Sequence, residues 1–215
     1  MKIVIVDYDL GNVRSILNAF EQIGISPILS RDKDDILNAD GLILPGVGAF
    51  SHGMKNLHKY SLVEVLKDYA KTGKVLLGIC LGMQMLLDES EEFGNTQGIG
   101  LIHGKVIKLP TKDKNNEKLP HICWNEIEPK HQNWNDTILN SIPLKSDMYF
   151  VHSYIAEPKD DTNILSTTVY SDYRFCSSLK QGNVYGCQFH PEKSAKIGLE
   201  IIKNFVNIAK EGKSV

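Results

Sequence analysis

A chain of 215 residues, with 24 basic and 26 acidic side chains, a formal net charge of −2 and no long block of one sign, has room for one well-buried domain and not for two with a linker. That balance excludes nucleic acid and anionic membrane surfaces as main partners. Four cysteines are too few for a disulfide scaffold, the opening Lys2-Ile3-Val4-Ile5-Val6 reads as a strand rather than a signal peptide, and no apolar run is long enough to span a bilayer. The expectation is one domain over residues 1–215 in a reducing cytoplasm.

Through the first half, strand-like apolar runs alternate with helical patterns. Lys2 to Val6 is a strand, Val13 to Ile23 a helix, Pro27 to Leu29 and Gly41 to Leu44 short strands, and Leu57 to Ala70 a helix. Val75 to Ile79 is a further strand and Met83-Gln84-Met85-Leu86-Leu87 is helix-like. This alternation predicts β-α-β units: an open, mostly parallel α/β sheet flanked by helices, with reactive groups at the carboxyl ends of its strands. The second half strings β-like runs together at Leu101 to Leu109, Trp124 to Glu128, Met148 to Ile155, Ile164 to Tyr170, Phe175 to Leu179 and Val184 to Phe189. An antiparallel extension is expected there, with Gln181-Gly182-Asn183 as a hairpin turn and a closing helix over Gly198 to Ala209. The polar stretch Thr111 to Lys118 reads as a solvated loop.

The chemistry begins at Gly78-Ile79-Cys80-Leu81-Gly82, the layout of a nucleophile elbow. A strand that turns sharply into a helix lifts one side chain clear of the backbone, and the turn is so tight that its flanks favour glycine. The free N–H groups and dipole of the following helix suit a thiolate and can hold an oxyanion. Taken alone, Cys80 could equally be a small buried apolar residue, so the reading turns on finding a base and a group to orient it. Gly186-Cys187-Gln188-Phe189-His190-Pro191-Glu192 supplies both. His190 can take the thiol proton, and Glu192 can hold the imidazole in one tautomer and stabilise its charged form.

Two rival uses of these segments are weaker. His121-x-Cys123 with Cys187-x-x-His190 could make a zinc site, but residues three apart on an unbroken strand face opposite ways, so no metal is expected. Cys176 and Cys187 read as core or sheet residues, and His52, His58, His103 and His131 as surface or structural ones. Pro45-Gly46-Val47-Gly48-Ala49-Phe50 is an incomplete dinucleotide fingerprint, with Ser51 at the third glycine position and no clean helix expected to open there. It reads better as a loop whose backbone N–H groups face the nucleophile.

Together, Pro45-Gly46-Val47-Gly48, Gly78-Ile79-Cys80-Leu81-Gly82-Met83-Gln84 and Phe189-His190-Pro191-Glu192 resemble the signature of class I glutamine amidotransferases. More narrowly the chain is similar to the glutaminase subunits of imidazole glycerol phosphate synthases. That likeness runs from Asp7-Tyr8 and Gly11-Asn12-Val13-Arg14-Ser15 through Pro120-His121, Trp124-Asn125 and Tyr149-Phe150-Val151-His152-Ser153-Tyr154 to Ser194. The resemblance implies a flavodoxin-like fold and a cofactor-free glutaminase with Cys80 as nucleophile, His190 as base and Glu192 as orienter. It implies that L-glutamine lies among Gly46, Val47, Gly48, Gln84, Glu92 and Ser153, with the Leu81 N–H as an oxyanion donor. It also implies a heterodimer with a (β/α)8-barrel cyclase that receives the ammonia, and Trp124, Asn125, Tyr149 and Lys193 are the interface candidates.

Cys123 and Asp9 stand where the family usually has glycine. Asp tolerates left-handed backbone, so Asp9 fits the pattern, whereas Cys123 opens the alternative of a paralogue feeding another synthase, such as one placing nitrogen on bacterial surface sugars. A cysteine peptidase of the same fold is the rival from another class. Ammonia becomes ammonium in neutral water and ceases to be a nucleophile, and this chain has no room for an acceptor domain. The acceptor is therefore expected on another polypeptide.

Overall fold

A computed structural model describes residues 1–110, 119–131 and 133–212, so the polar stretch Thr111 to Lys118 lies outside the described residues. Its first half runs β1 (Ile3–Val6), α1 (Val13–Gln22), β2 (Ile28–Ser30), α2 (Lys33–Leu37), β3 (Gly41–Leu44), α3 (Phe50–Lys59), α4 (Leu62–Lys71), β4 (Val75–Ile79) and α5 (Leu81–Met85). The second half follows with β5 (Glu89–Ser90), β6 (Thr96–Gln97), β7 (Gly104–Lys108), β8 (His121–Pro129), β9 (Ser146–His152) and β10 (Tyr154–Pro158). It ends with β11 (Ile164–Tyr170), β12 (Tyr173–Gln181), β13 (Val184–Cys187) and α6 (Ala195–Glu211).

The strand order β2-β1-β3-β4-β13 is parallel throughout, with β13 returning from the far end of the chain to lie beside β4, Leu76 opposite Val184 and Gly78 opposite Gly186. Both faces of this sheet are buried, which is why its strands are continuous apolar runs. Val4, Val6, Leu42, Leu44 and Leu76 point to the face covered by α3 and α4, where Phe50, Met54, Leu57, Leu62 and Leu66 pack. Ile3, Ile5, Ile43, Val75 and Leu77 point to the other face, against Ile16 and Phe20 of α1 and Ile201, Ile202 and Phe205 of α6. Beyond β13 the sheet turns antiparallel through β12, which pairs with β10 and β11, and the β8–β9 hairpin hangs from β11. The mixed α/β architecture read from the sequence, a mostly parallel open sheet with an antiparallel extension, is the one observed.

Local chemistry sets the element ends. Asn12 caps α1 by accepting from the Ser15 N–H, and Asp32 caps α2 by accepting from those of Asp34 and Asp35. The β12–β13 hairpin closes through Gly182 at φ +58, with Gln181 opposite Val184, at the turn the sequence marks. Several expectations need correction. The single helix expected over Leu57 to Ala70 is two, α3 and α4, broken at Tyr60-Ser61 where Ser61 takes φ +54. A helix does open after the Pro45 loop, starting at Phe50, because packing of Phe50, Met54 and Leu57 on the sheet outweighs weak local helix signals. The strand expected over Met148 to Ile155 is interrupted at Ser153, where β9 gives way to β10, and the strand expected to reach Phe189 ends at Cys187. The short α2, β5 and β6 carry too few residues for a periodic signal.

Candidate active site

Cys80 sits at the carboxyl end of β4 with φ +53 and ψ −109, conformational territory that L-residues avoid, and its N–H donates to the Cys187 carbonyl of β13 at 2.7 Å. Three glycines make this turn possible. A Cβ on Gly82 would lie 1.9 Å from the Leu44 carbonyl oxygen, one on Gly78 2.7 Å from the Gly82 backbone, and one on Gly46 2.7 Å from the Gly82 nitrogen. The elbow, the β3 end and the Pro45 loop therefore meet backbone to backbone, and side chains are excluded by contact.

His190 follows β13 after Gln188 and Phe189. Its N–H donates to the Tyr149 carbonyl at 3.0 Å, and its own carbonyl accepts from the Ser194 hydroxyl at 2.7 Å, so β9 and the segment leading into α6 hold it from both sides. The imidazole Nδ1 lies 2.8 Å from Glu192 Oε1, with both side chains almost fully buried. Among the described residues its Nε2 makes no hydrogen bond. Burial by itself would lower the imidazole pKa, but the neighbouring Cys80 sulfur first, and the Glu192 carboxylate second, outweigh it and push the pKa up to about 10.

The thiol and the imidazole open on a cavity of about 290 Å³. Val47, Gly48, Leu81, Gln84, Glu92 and Ser153 line it, together with Pro120, Val151, His152 and Tyr154. Gly48 has φ +98, which gives the loop a conformation other residues resist. Glu92 Oε2 accepts the Phe50 N–H at 2.7 Å, tying the loop that carries Glu92 to the start of α3. As the first residue of α5, Leu81 has an N–H with no intrahelical acceptor. Gly46 is the predicted residue that does not line the cavity. It lies behind the loop, against Gly82, Leu81 and the Tyr8 hydroxyl.

Trp124, Tyr149 and Lys193 form one surface cluster beside His190. The Trp124 and Tyr149 rings meet edge to face at 5.9 Å, the Lys193 ammonium lies 5.7 Å from the Tyr149 ring centre, and that ring lies 6.4 Å from the His190 ring. Trp124 is 49% exposed. Asn125 alternates to the other side of β8, where its amide donates to the Val169 carbonyl at 3.2 Å. Cys123 also faces that side, its sulfur 2.9 Å from His121 Nε2. Asp9 adopts φ +65, as its tolerance for left-handed backbone allows, and is held by Arg31 at 2.8 Å. Cys176 and Cys187 are buried in the sheet, and burial pushes both thiols up. His103 pairs with Asp88 at 3.3 Å, and His131 lies 3.3 Å from the Asp161 carbonyl.

Among the residues given no site role from the sequence, Tyr8, Gln188 and His152 stand out by their contacts. Tyr8 donates to the Pro45 carbonyl at 2.5 Å and shapes the loop from below. Gln188 reaches the Cys80 sulfur at 3.7 Å, and His152 lines the cavity between Val151 and Ser153. Gln188 and His152 lie in strand-like segments, and Tyr8 just beyond one, where pairing and core packing are the first explanation of any residue, so pattern alone does not set them apart.

The class-I glutamine amidotransferase family model matches residues 4–209. Imidazole glycerol phosphate synthase subunit HisH 1 of Legionella pneumophila (strain Lens) is 46% identical over 208 residues, spanning 95% of this chain and 98% of its own length. The corresponding HisH subunit of Methanosarcina barkeri is 45% identical over 207 residues, spanning 96% and 98%. A solved structure of PurLQS from Thermotoga maritima superposes with a TM-score of 0.71 at 23% identity, covering 96% of this chain and 97% of that one, a likeness of fold. The chain belongs to the class-I glutamine amidotransferase family.

Proposed function

We propose that this chain is the glutaminase subunit of an imidazole glycerol phosphate synthase. It hydrolyses L-glutamine and passes the ammonia to a (β/α)8-barrel cyclase subunit of histidine biosynthesis, with residues 1–215 acting as a single amidotransferase domain. The observation that carries this reading is the thiol at a strained elbow beside a buried imidazole–carboxylate pair, over a cavity sized for a small amino acid. Support for the pathway comes from HisH relatives that match nearly the whole chain. No described helix is long and apolar enough to cross a membrane, which suits a partner met in solution.

In this reading the Cys80 sulfur attacks the side-chain carbonyl of glutamine, its proton passing to His190. The C–N bond breaks, His190 protonates the departing nitrogen, and a thioester is left on Cys80. Water then adds to the thioester with His190 as base, releasing glutamate and restoring the thiol. Glu192 holds the imidazole through its 2.8 Å contact and stabilises the charged ring. The N–H groups of Leu81 and of the Val47-Gly48 loop hold the oxyanion, while Gln84, Glu92 and Ser153 orient the substrate. Trp124, Tyr149 and Lys193 meet the barrel, near enough to His190 to link docking with catalysis, whereas Asn125 faces the other side of β8.

The test is titration against the histidine-pathway barrel subunit with glutamate release as readout. Tight binding with a large activation is expected. No binding or activation there, with activation by a synthase acting on bacterial surface sugars, would transfer the chain to the paralogous role.

A further inference from the structure

We infer that His152, oriented by His121, is a positioning residue that fixes the Gln84 carboxamide through the Tyr154 carbonyl they share. This rests on the glutaminase reading. A histidine buried in a cavity wall is costly unless both ring nitrogens are satisfied, and here they are. His152 Nδ1 lies 3.0 Å from the Tyr154 carbonyl and its Nε2 lies 2.9 Å from His121 Nδ1. A carbonyl only accepts, so the proton of His152 is on Nδ1, and Nε2 must accept from His121. Burial, and after it the neighbouring His121, lowers the His152 pKa to about 3, so the ring is neutral and this tautomer persists. His121 cannot turn away: it is stacked between Phe150 at 5.1 Å and Tyr170 at 4.0 Å.

The same Tyr154 carbonyl receives Gln84 Nε2 at 2.9 Å, and Nε2 also donates to Gln188 Oε1 at 3.0 Å. Both amide hydrogens of Gln84 are thereby committed, leaving its Oε1 as the acceptor presented at the cavity, suited to an N–H of the substrate. Gln188 in turn donates to the Cys80 sulfur at 3.7 Å. A continuous set of hydrogen bonds thus links a locked imidazole pair, through the Tyr154 carbonyl that accepts from both His152 and Gln84, to the substrate-facing amide and the nucleophile. If His152 loses its donor, Gln84 loses one of the two groups that define its carbonyl partner, and substrate binding suffers more than turnover.

Two measurements on the whole chain decide this. ¹⁵N-histidine NMR should show His152 protonated at Nδ1 alone, the tautomer free histidine disfavours, with a coupling across the hydrogen bond between His121 Nδ1 and His152 Nε2. A His152 ring protonated at Nε2 overturns the proposal. In the complex with the barrel subunit, His152→Leu should raise the glutamine KM by about three- to tenfold, the range of one neutral hydrogen bond, with kcat within about twofold. His152→Asn keeps a donor at the Nδ1 position and should stay within about twofold of wild type in KM. An unchanged KM in His152→Leu, or equal losses in both variants, overturns the proposal. If His152→Leu lacks a cooperative melt, the Asn variant and the spectrum carry the test, and a raised KM in Asn overturns it. Absence of glutaminase activity in the wild-type complex would instead count against the functional reading, while the spectrum still reports on the imidazole pair.

Discussion

Cys80, His190 and Glu192 form the smallest unit with a consequence. Cys80→Ala should abolish glutamine hydrolysis while the complex still uses added ammonium, because the proposed function puts the acceptor chemistry in the other subunit. Glutamine-dependent turnover above about one thousandth of wild type would contradict the nucleophile. Glu192→Gln removes only the charge that steadies the imidazole, so kcat should fall by less than in Cys80→Ala. Unchanged kcat would take Glu192 out of the mechanism. The same contacts set the titration of His190. Since Cys80 is the largest influence raising its pKa towards about 10, Cys80→Ala should bring that pKa down in an NMR titration.

At the scale of elements, the elbow depends on β3, β4 and the Pro45 loop touching through bare backbone. Gly82→Ala places a methyl 1.9 Å from the Leu44 carbonyl, which nothing short of moving β4 or β3 relieves, so a loss of about 3 kcal/mol or more is expected in denaturant unfolding. The loop itself has freedom at Gly48, where a Cβ would meet nothing within 4 Å and yet φ is +98. Gly48→Ala should therefore cost about 1–2 kcal/mol through backbone strain alone, with no clash, and slow glutamine hydrolysis, because the Val47-Gly48 peptide loses the conformations that present an N–H to the oxyanion. A Gly48→Ala chain with full activity would remove this loop from the mechanism. At β8, Cys123→Gly should leave binding to the histidine-pathway barrel intact, since glycine can adopt any conformation cysteine adopts, and a weakened complex would point to a partner that packs on the sulfur.

For the molecule as a whole, stability should carry the signature of two buried histidines with opposite shifts. The folded pKa of His152 lies below its ordinary 6.5, so as pH falls from 6.5 towards 3 the unfolded chain binds a proton that the folded chain refuses, and stability falls. The folded pKa of His190 lies above 6.5, so its contribution is complete below 6.5 and is lost as pH rises towards about 10. Each limb has a limiting slope of about 1.4 kcal/mol per pH unit. Unfolding free energies measured across this range should flatten on the acid side in His152→Asn and on the alkaline side in Cys80→Ala. The isolated chain is further expected to hydrolyse glutamine slowly, with the barrel supplying the signal through Trp124, Tyr149 and Lys193. Equal rates with and without a loaded barrel would contradict that coupling.

What could be read from the sequence alone was whatever depends on neighbours in the chain. Apolar runs alternating with helical patterns specified the parallel β-α-β half, because strands buried on both faces leave a period-free signature. Gly78-x-Cys80-x-Gly82 and His190-x-Glu192 were legible because the turn and the imidazole–carboxylate pair are made by residues two apart. Only the tertiary structure decided the rest. The pairing of β13 with β4 brings His190 to Cys80 across the chain, the break at Ser153 turns His152 towards the cavity, and Phe50 starts a helix because the sheet offers a face to pack on. Such features depend on contacts between residues distant in sequence, whose free energy exceeds the small local preferences that pattern can register.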